Sequence, residues 1–344
     1  MQADVESQQS RLADPERFMR ALYRAVLLRE ADPDGLAGYA AALRGGMDPA
    51  EVIELFLASQ EFRDRQAPVL FVPPGHYYSP IPDPADAGQH LARLEARGFP
   101  EALPGIALDR AAMVALWKRL VPLMEDAPFP EEETPGFRYW RANSGYDWGD
   151  ACVLHAMLRL LRPKRLIEIG CGWSSACTLD TIDRYLNGAC ETTFIDPYPD
   201  RLRRVLRAEE TGAVILEQRV QDVPPEIFDV LEAGDVLFID STHVLKTGSD
   251  VCFELFEILP RLKPGVVVHV HDMFWPFEYP RSWAVEESRA WNEAYALRAY
   301  LTDNPHWEFL VFNDYLAKVE QPLMAATHPW FGRNTGCALW LRRR

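Results

Sequence analysis

The 344-residue sequence has no apolar run near the roughly 18 residues that a membrane span needs. It has no surplus of basic charge either: 36 Lys and Arg stand against 51 Asp and Glu, for a net charge of −15. Phosphate backbones are held by clustered cations, so nucleic acid is excluded as the main partner. One basic cluster exists, Arg201, Arg203, Arg204 and Arg207, and its spacing reads as a solvated helix face. The six cysteines include no C-x-x-C pair, which argues against a zinc knuckle or a disulfide framework and for reduced thiols. The opening residues MQADVESQQSRL lack the basic-then-apolar pattern of a secretory signal, so the expected location is cytoplasmic. What is present is ordinary globular composition, 48% hydrophobic and 25% charged, at a length that suggests two domains.

Three short helices open the chain, each with the same start signal. Asp14-Pro15, Asp32-Pro33 and Asp48-Pro49 each set a capping carboxylate before a proline at the first helical position. Phe18, Leu22 and Val26 share a face of the first helix, Leu36, Ala40 and Leu43 of the second, and Val52, Phe56 and Phe62 of the third. Residues 1–66 thus read as a small helical bundle without catalytic groups, suited to attachment or assembly. Residues 67–130 carry Pro68, Pro73, Pro74, Pro80, Pro82 and Pro84, and read as a proline-rich linker. Within it, His76, Tyr77 and Tyr78 are unusual for a linker and suggest a lid over a site.

Residues 131–344 alternate strand and helix signals, the pattern of a parallel sheet covered on both faces. The expected strands are 165–169, 192–195, 213–216, 235–239 and 265–270, with helices at 249–262 and 286–301. Two last strands, 307–312 and 337–341, are expected to be joined by a loop and to pair antiparallel. Five parallel strands ending in an antiparallel pair make a doubly wound, Rossmann-like α/β sheet of the class I methyltransferase kind.

The strongest motif follows the first strand: Glu168-Ile169-Gly170-Cys171-Gly172-Trp173-Ser174-Ser175. Glycines there let the backbone turn tightly against a ligand. The second strand ends in Asp196, where a carboxylate can accept both hydroxyls of a ribose. A dinucleotide fingerprint requires a third glycine, but that position is Ser175. S-adenosylmethionine has no phosphate, and its cationic ammonium and sulfonium suit a nearby carboxylate such as Glu168. Gln221-Asp222 reads either as an adenine-edge contact or as a loop cap. For Glu168 and Asp196 the competing role is turn chemistry.

Two resemblances follow. The run FMRALYRAVLLREADPDGLAGYAAAL…EVIELFLASQEF resembles, over residues 14 to 66, a small helical domain of unknown function found on bacterial surface and glycan-related proteins. From about Pro74 to Ala317 the chain resembles class I S-adenosylmethionine-dependent methyltransferases, specifically methyltransferase family 24. The segments that carry this resemblance are PPGHYYSPIPD, YDWGDA, RLIEIGCGWSSA, FIDPYP, DVLFIDSTHVLKTGSDV, LPRLKPGVVVHVHDMFWPFEYP and WNEAYALRAYL. The resemblance implies cofactor binding through Glu168, Gly170, Gly172, Ser174 and Asp196, with Tyr146 and Asp150 closing over the methionine end.

Ligands of doubly wound sheets bind beyond the carboxyl ends of the strands. Asp240 and Asp272 lie there, after the fourth and fifth strands, with His243 and His271 beside them. This set can hold a divalent metal, or the acids can cap turns and orient the histidines. The placement is similar to metal-dependent catechol-type O-methyltransferases, except that Met273 stands where those enzymes carry a further oxygen ligand. His243 is the expected general base, and His269, deeper in its strand, a core residue. The aromatic run Phe274-Trp275-Pro276-Phe277-Glu278-Tyr279-Pro280 reads either as the wall of an acceptor pocket, through Trp275 and Tyr279 with Trp291, Asn292 and Tyr295 completing it, or as an apolar loop packed on the core. The expected activity is methyl transfer to an oxygen of a small or glycan-linked acceptor, with a protein partner or self-association through the helical domain. Metal-dependent oxidation on the same fold and a non-enzymatic interaction role are the alternatives.

Overall fold

The computed structural model describes residues 14–66, 71–206, 212–327 and 329–344. Arg207 of the basic cluster lies outside them. The chain divides into two compact units, Met1–Ile81 and Pro82–Arg344.

The first unit holds α1 (Pro15–Leu27), α2 (Pro33–Arg44), α3 (Pro49–Leu57) and α4 (Gln60–Gln66). The start signals work as the chemistry dictates: Asp14, Asp32 and Asp48 accept hydrogen bonds from the backbone N–H groups of Arg17, Gly35 and Ala50. Met19, Leu22, Tyr23, Leu36, Val52 and Phe56 form its core. His76, Tyr77 and Tyr78 also belong to this unit.

The second unit begins with α5 (Pro84–Arg97), α6 (Arg110–Glu125) and α7 (Trp148–Leu161). The linker expected over 67–130 is therefore corrected, because two helices lie inside it. Pro84 does not break structure; it occupies the first helical position behind Asp83, whose side chain accepts from Ala85 and Asp86 N–H. Helix α6 buries Met113, Trp117, Leu120 and Met124, a stripe at helical spacing. It packs against α7 and the sheet.

The sheet then forms from β1 (Arg165–Ile169), α8 (Trp173–Tyr185), β2 (Glu191–Ile195), α9 (Asp200–Val205), β3 (Ala213–Leu216), β4 (Val236–Ile239), α10 (Asp250–Phe253), β5 (Val267–Val270), α11 (Glu293–Leu301), β6 (Trp307–Phe312), α12 (Asn313–Val319), α13 (Gln321–Ala325) and β7 (Leu339–Arg343). Spatial order is β3-β2-β1-β4-β5-β7-β6. The first five strands are parallel, and β7 runs antiparallel to both β5 and β6. This is the expected Rossmann-like doubly wound α/β sheet with a five-stranded parallel core.

Three expected boundaries change. The helix expected over 249–262 winds as α10, a π-helical turn over Glu254–Ile258 and a 3-10 turn ending at Arg261; Pro260 has no N–H to continue an α-helix. The helix expected from 286 starts at Glu293, because Asn292 is tied to Leu245 by hydrogen bonds in both directions. The connection from β6 to β7 is not a plain loop but holds α12 and α13, with Tyr315, Leu316 and Met324 buried. The order places the ends of β1, β4 and β5 side by side. No helix among the described residues is long and apolar enough to cross a membrane.

Candidate functional site

The turn after β1 touches the end of β4. Gly170 has φ of +77°, and a Cβ there would lie 1.8 Å from the carbonyl oxygen of Asp240, so only glycine fits. Gly172 precedes α8, and a Cβ on it would come within 3.1 Å of Arg201 Cδ. Glu168 is fully buried beneath this turn. Its Oε1 accepts from the hydroxyls of Ser174 at 2.5 Å and Ser175 at 2.9 Å, while Oε2 has no protein partner. Burial pushes its carboxyl up to about 8. Ser175 thus fills the third-glycine position of a dinucleotide fold with a hydroxyl that locks the loop: it accepts the Gly172 N–H and donates to Glu168.

Asp196 serves the turn and a cavity at once. Its carboxylate accepts from Cys171 N–H at 2.9 Å and Tyr198 N–H at 2.6 Å. Gly170, Asp196 and Asp240 line two cavities. One, of about 560 Å³, also includes Gln221, Ser241, Thr242 and Lys246; there the Gln221 amide donates to Gly248 O. The other, of about 210 Å³, adds Tyr146, Gly172, Ser174 and Arg201. A third cavity, of about 500 Å³, shares Gly145 with the second and is walled by Asp147, Asp150, His271, Asp272, Phe274, Trp283 and Cys337. The three form a row along the carboxyl ends of β2, β1, β4 and β5.

The four residues expected as one metal or catalytic set separate into two clusters. The first joins Asp240, His243 and Asp272. His243 Nε2 lies 3.4 Å from Asp240 Oδ1 and 3.3 Å from Asp272 Oδ2. Its Nδ1 lies 2.8 Å from Glu293 Oε2, and its carbonyl accepts from the N–H groups of Asn292 and Glu293. Both His243 and Asp272 adopt positive φ, 61° and 56°, a conformation that costs roughly 1–2 kcal/mol per residue and is held by these surroundings. Burial alone would push the imidazole pKa down, but the bonds to Asp240 and Glu293 and the charge on Asp272 outweigh it, so it sits well above 6.5. With both nitrogens facing carboxylates, the surroundings favour the protonated imidazole, which runs against the expected role of general base.

The same distances suit a cation. Two donors at about 2.1 Å from one ion stand roughly 3.0–3.4 Å apart, the spacing of His243 Nε2 from both carboxylates. Glu293 on the opposite nitrogen is the partner a metal-bound imidazole requires. On this donor chemistry the three side chains fit a divalent ion.

The second cluster joins Asp150, His271 and Cys337. Burial raises the Asp150 carboxyl to about 6, against the lowering effect of His271. Its Oδ1 accepts the Cys337 N–H at 2.9 Å. Tyr146 and Asp150, expected together over a cofactor, touch through the Tyr146 hydroxyl, 3.4 Å from the Asp150 carbonyl oxygen, while Tyr146 lines the 210 Å³ cavity and Asp150 the 500 Å³ one.

His269 is a core residue as expected, stacked 3.9 Å from Phe238, but neither ring nitrogen has a protein partner; burial, then His271, holds it well below 6.5. Trp275 and Tyr279, expected to wall an acceptor pocket, line none of these three cavities. Both are buried: Trp275 Nε1 donates to Pro100 O, and the Tyr279 hydroxyl accepts from Ala294 N–H. Their neighbours Phe274 and Trp283 line the 500 Å³ cavity instead. Trp291 packs on the His243 ring at 4.3 Å, and Tyr295 bonds Glu278. His76, Tyr77 and Tyr78 are exposed and stack on one another within the first unit. Sequence reasoning missed Glu293, Cys337, Arg201 and Trp283. Glu293 looked like any acidic residue in a first helical turn, and Cys337 carried no spacing signal.

Residues 167–273 match the model of a family described as a methyltransferase domain. That stretch contains the glycine turn, Asp196, Asp240, His243 and Asp272. Residues 5–66 match a domain of unknown function (DUF4214). An uncharacterised protein of Archaeoglobus fulgidus is 29% identical over 185 residues, which are 53% of this chain and 83% of that protein. Among solved structures, the SAH-bound methyltransferase PaMTH1 of Podospora anserina aligns at 12% identity and a TM-score of 0.37, over 80% of this chain and 99% of its own. The O-methyltransferase TomG of Streptomyces achromogenes, in complex with SAM, aligns at 13% identity and a TM-score of 0.36, over 69% of this chain and 91% of its own. The chain is thus similar to methyltransferase domains over residues 167–273, and over residues 5–66 to a domain of unknown function.

Proposed function

We infer that the second unit transfers the methyl group of S-adenosylmethionine to a hydroxyl oxygen of a small or glycan-linked acceptor. The observation that carries this reading is the shared wall. Gly170, Asp196 and Asp240 line both the 560 Å³ and the 210 Å³ cavities, and the latter shares Gly145 with the 500 Å³ cavity of Asp272. An adenosyl group in the first, with Asp196 at its ribose and Gln221 at its base, sends its methionine end into the second. There the row of Glu168, Ser174 and the start of α8 meets the methionine. Glu168 acts through Ser174, since its own carboxyl lies behind the wall.

The acceptor occupies the 500 Å³ cavity. Asp147, Asp150, Asn143 and Asn334 offer acceptors and amides to hydroxyl groups, and Phe274 and Trp283 supply apolar faces. Asp314 in the same wall is neutralised by Lys318 at 2.6 Å. This lining favours an uncharged polyol over an anion. Alignment of donor and acceptor accounts for most of the catalysis, about 7–11 kcal/mol for a well-oriented displacement. The acceptor proton passes to the wall carboxylates. Asp240, His243 and Asp272 would hold a divalent cation, which would lower the pKa of an acceptor hydroxyl. The first unit, α1–α4, is assigned attachment to a protein partner or to a second copy.

Calorimetry of the full chain with S-adenosylmethionine or S-adenosylhomocysteine tests the reading. Binding should be retained after deletion of residues 1–66 and lost in Asp196→Ala. No heat at millimolar ligand overturns it.

A further inference from the structure

The cluster of Asp150, His271 and Cys337 brings an imidazole and a thiol that the proposed methyl transfer does not use. Three different donor types, a carboxylate, an imidazole and a thiol, converge with their ligand atoms all within 4.8 Å of one another. They come from three separate elements: Asp150 from the first turn of α7, His271 from the end of β5, and Cys337 from the approach to β7. All three face the 500 Å³ cavity.

Each is held as a ligand would be. Asp150 is anchored through Oδ1 by the Cys337 N–H at 2.9 Å, which leaves Oδ2 facing Cys337 Sγ at 3.8 Å. Gly336 makes this approach possible: with φ of +78°, a Cβ there would meet Asp150 Oδ1 at 2.4 Å. His271 is only 4% exposed, and its Nδ1 has no protein partner. Its Nε2 lies 3.5 Å from Asp272 Oδ1, beyond a good hydrogen bond. A buried imidazole without a strong partner costs free energy unless something completes it. A sulfur and an oxygen bound at ~2.3 and ~2.1 Å to one tetrahedral zinc ion stand roughly 3.6 Å apart, close to the 3.8 Å separating Cys337 Sγ from Asp150 Oδ2.

We propose that Asp150, His271 and Cys337 form a second cation site, of the thiolate-imidazole-carboxylate type that takes zinc, on the floor of the acceptor cavity. It is distinct from the Asp240–His243–Asp272 set, whose oxygen-rich donors suit harder ions. Asp272 lies between them, with Oδ2 3.3 Å from His243 Nε2 and Oδ1 3.2 Å from Cys337 Sγ. It can therefore close the fourth position of the zinc or leave it open toward the cavity. Three protein ligands with a fourth position facing a cavity is the pattern of a zinc site that polarises a bound oxygen. On binding, the metal displaces the thiol proton to solvent.

Cobalt(II) titrated into the full-length protein tests this directly, because a cobalt–thiolate bond produces a charge-transfer band in the near ultraviolet. The wild type should show the band at one equivalent, and zinc should abolish it by displacement. Cys337→Ser should remove the band while the circular dichroism melt and S-adenosylhomocysteine binding stay as in the wild type. Cys252→Ser, at a thiol remote from the cluster, and Asp240→Asn should both retain it. Should Cys337→Ser fail to fold, Asp150→Asn provides the second probe, with cobalt affinity expected to fall at least about tenfold. No band in the wild type, a band that survives Cys337→Ser, or a band lost in Asp240→Asn each overturns the proposal. Cofactor calorimetry on the same samples reports separately on methyl-transfer competence.

Discussion

Glu293 Oε2 stands 2.8 Å from His243 Nδ1 across fifty positions of sequence, and both side chains are buried. The contact leaves Nε2 to face Asp240 and Asp272, so the carboxylate at the start of α11 decides which nitrogen the site presents. Glu293→Gln should weaken divalent-cation binding about tenfold to a hundredfold, measured by calorimetry with Mn²⁺. S-adenosylhomocysteine affinity should not change, because neither Glu293 nor His243 lines its cavities. Equal loss of both would mean that Glu293 only supports the fold.

The glycine turn gives a second prediction. Gly170→Ala places a methyl 1.8 Å from a backbone carbonyl at φ of +77°, and neither atom belongs to a flexible side chain. The β1 and β4 loops must part. Destabilisation of at least about 2–3 kcal/mol is expected, read as a lower denaturant midpoint, together with loss of cofactor binding. A variant as stable as the wild type would show that the two loops are not in contact.

Glu168 predicts a pH dependence with a definite sign. Burial raises its carboxyl from the usual 4.5 to about 8, so between those values the folded chain holds a proton that the unfolded chain has lost. The contribution is fully present below pH 4.5 and is lost as pH rises through 8. Within that window the folding equilibrium should fall by up to about tenfold per pH unit on account of this group. Glu168→Gln removes that slope. Denaturant melts of both proteins from pH 5 to pH 8.5 should therefore converge in stability at the acid end and separate toward the alkaline end, with the variant the more stable there. Parallel curves would show that Glu168 is not held protonated.

Much of this fold was readable because it depends on local rules. Asp-Pro starts, apolar strands and a glycine turn need only neighbouring residues, and Asp196 and Asp240 follow from their places at strand ends. The same logic missed α5, since Asp83-Pro84 has the form of the three N-terminal starts but sits in a proline-rich stretch whose composition pointed to linker. Long-range pairs were not legible. Glu293 meets His243, and Cys337 meets Asp150, only after β7 inserts between β5 and β6 and α11 folds back; no periodicity in the sequence encodes either contact. Of the aromatic run, Phe274 lines a cavity while Trp275 and Tyr279 are buried, because which rings face inward depends on how the segment after β5 turns.

That turn separates two tryptophans with opposite predicted behaviour. Trp275 is fully buried, its backbone N–H bonded to Asp314 and its indole N–H to Pro100 O. Trp283 is half-buried and lines the 500 Å³ cavity, with Arg289 over its ring at 4.1 Å. Trp275→Ala should cost about 3–5 kcal/mol of stability through the cavity it leaves, seen as a large drop in melting temperature. Trp283→Ala should cost no more than about 1 kcal/mol, yet raise the KM for a hydroxyl acceptor with cofactor affinity unchanged. An acceptor KM that responds to Trp275 and not to Trp283, with both variants folded, would place the acceptor on the wrong side of this segment and move the chemistry out of the 500 Å³ cavity.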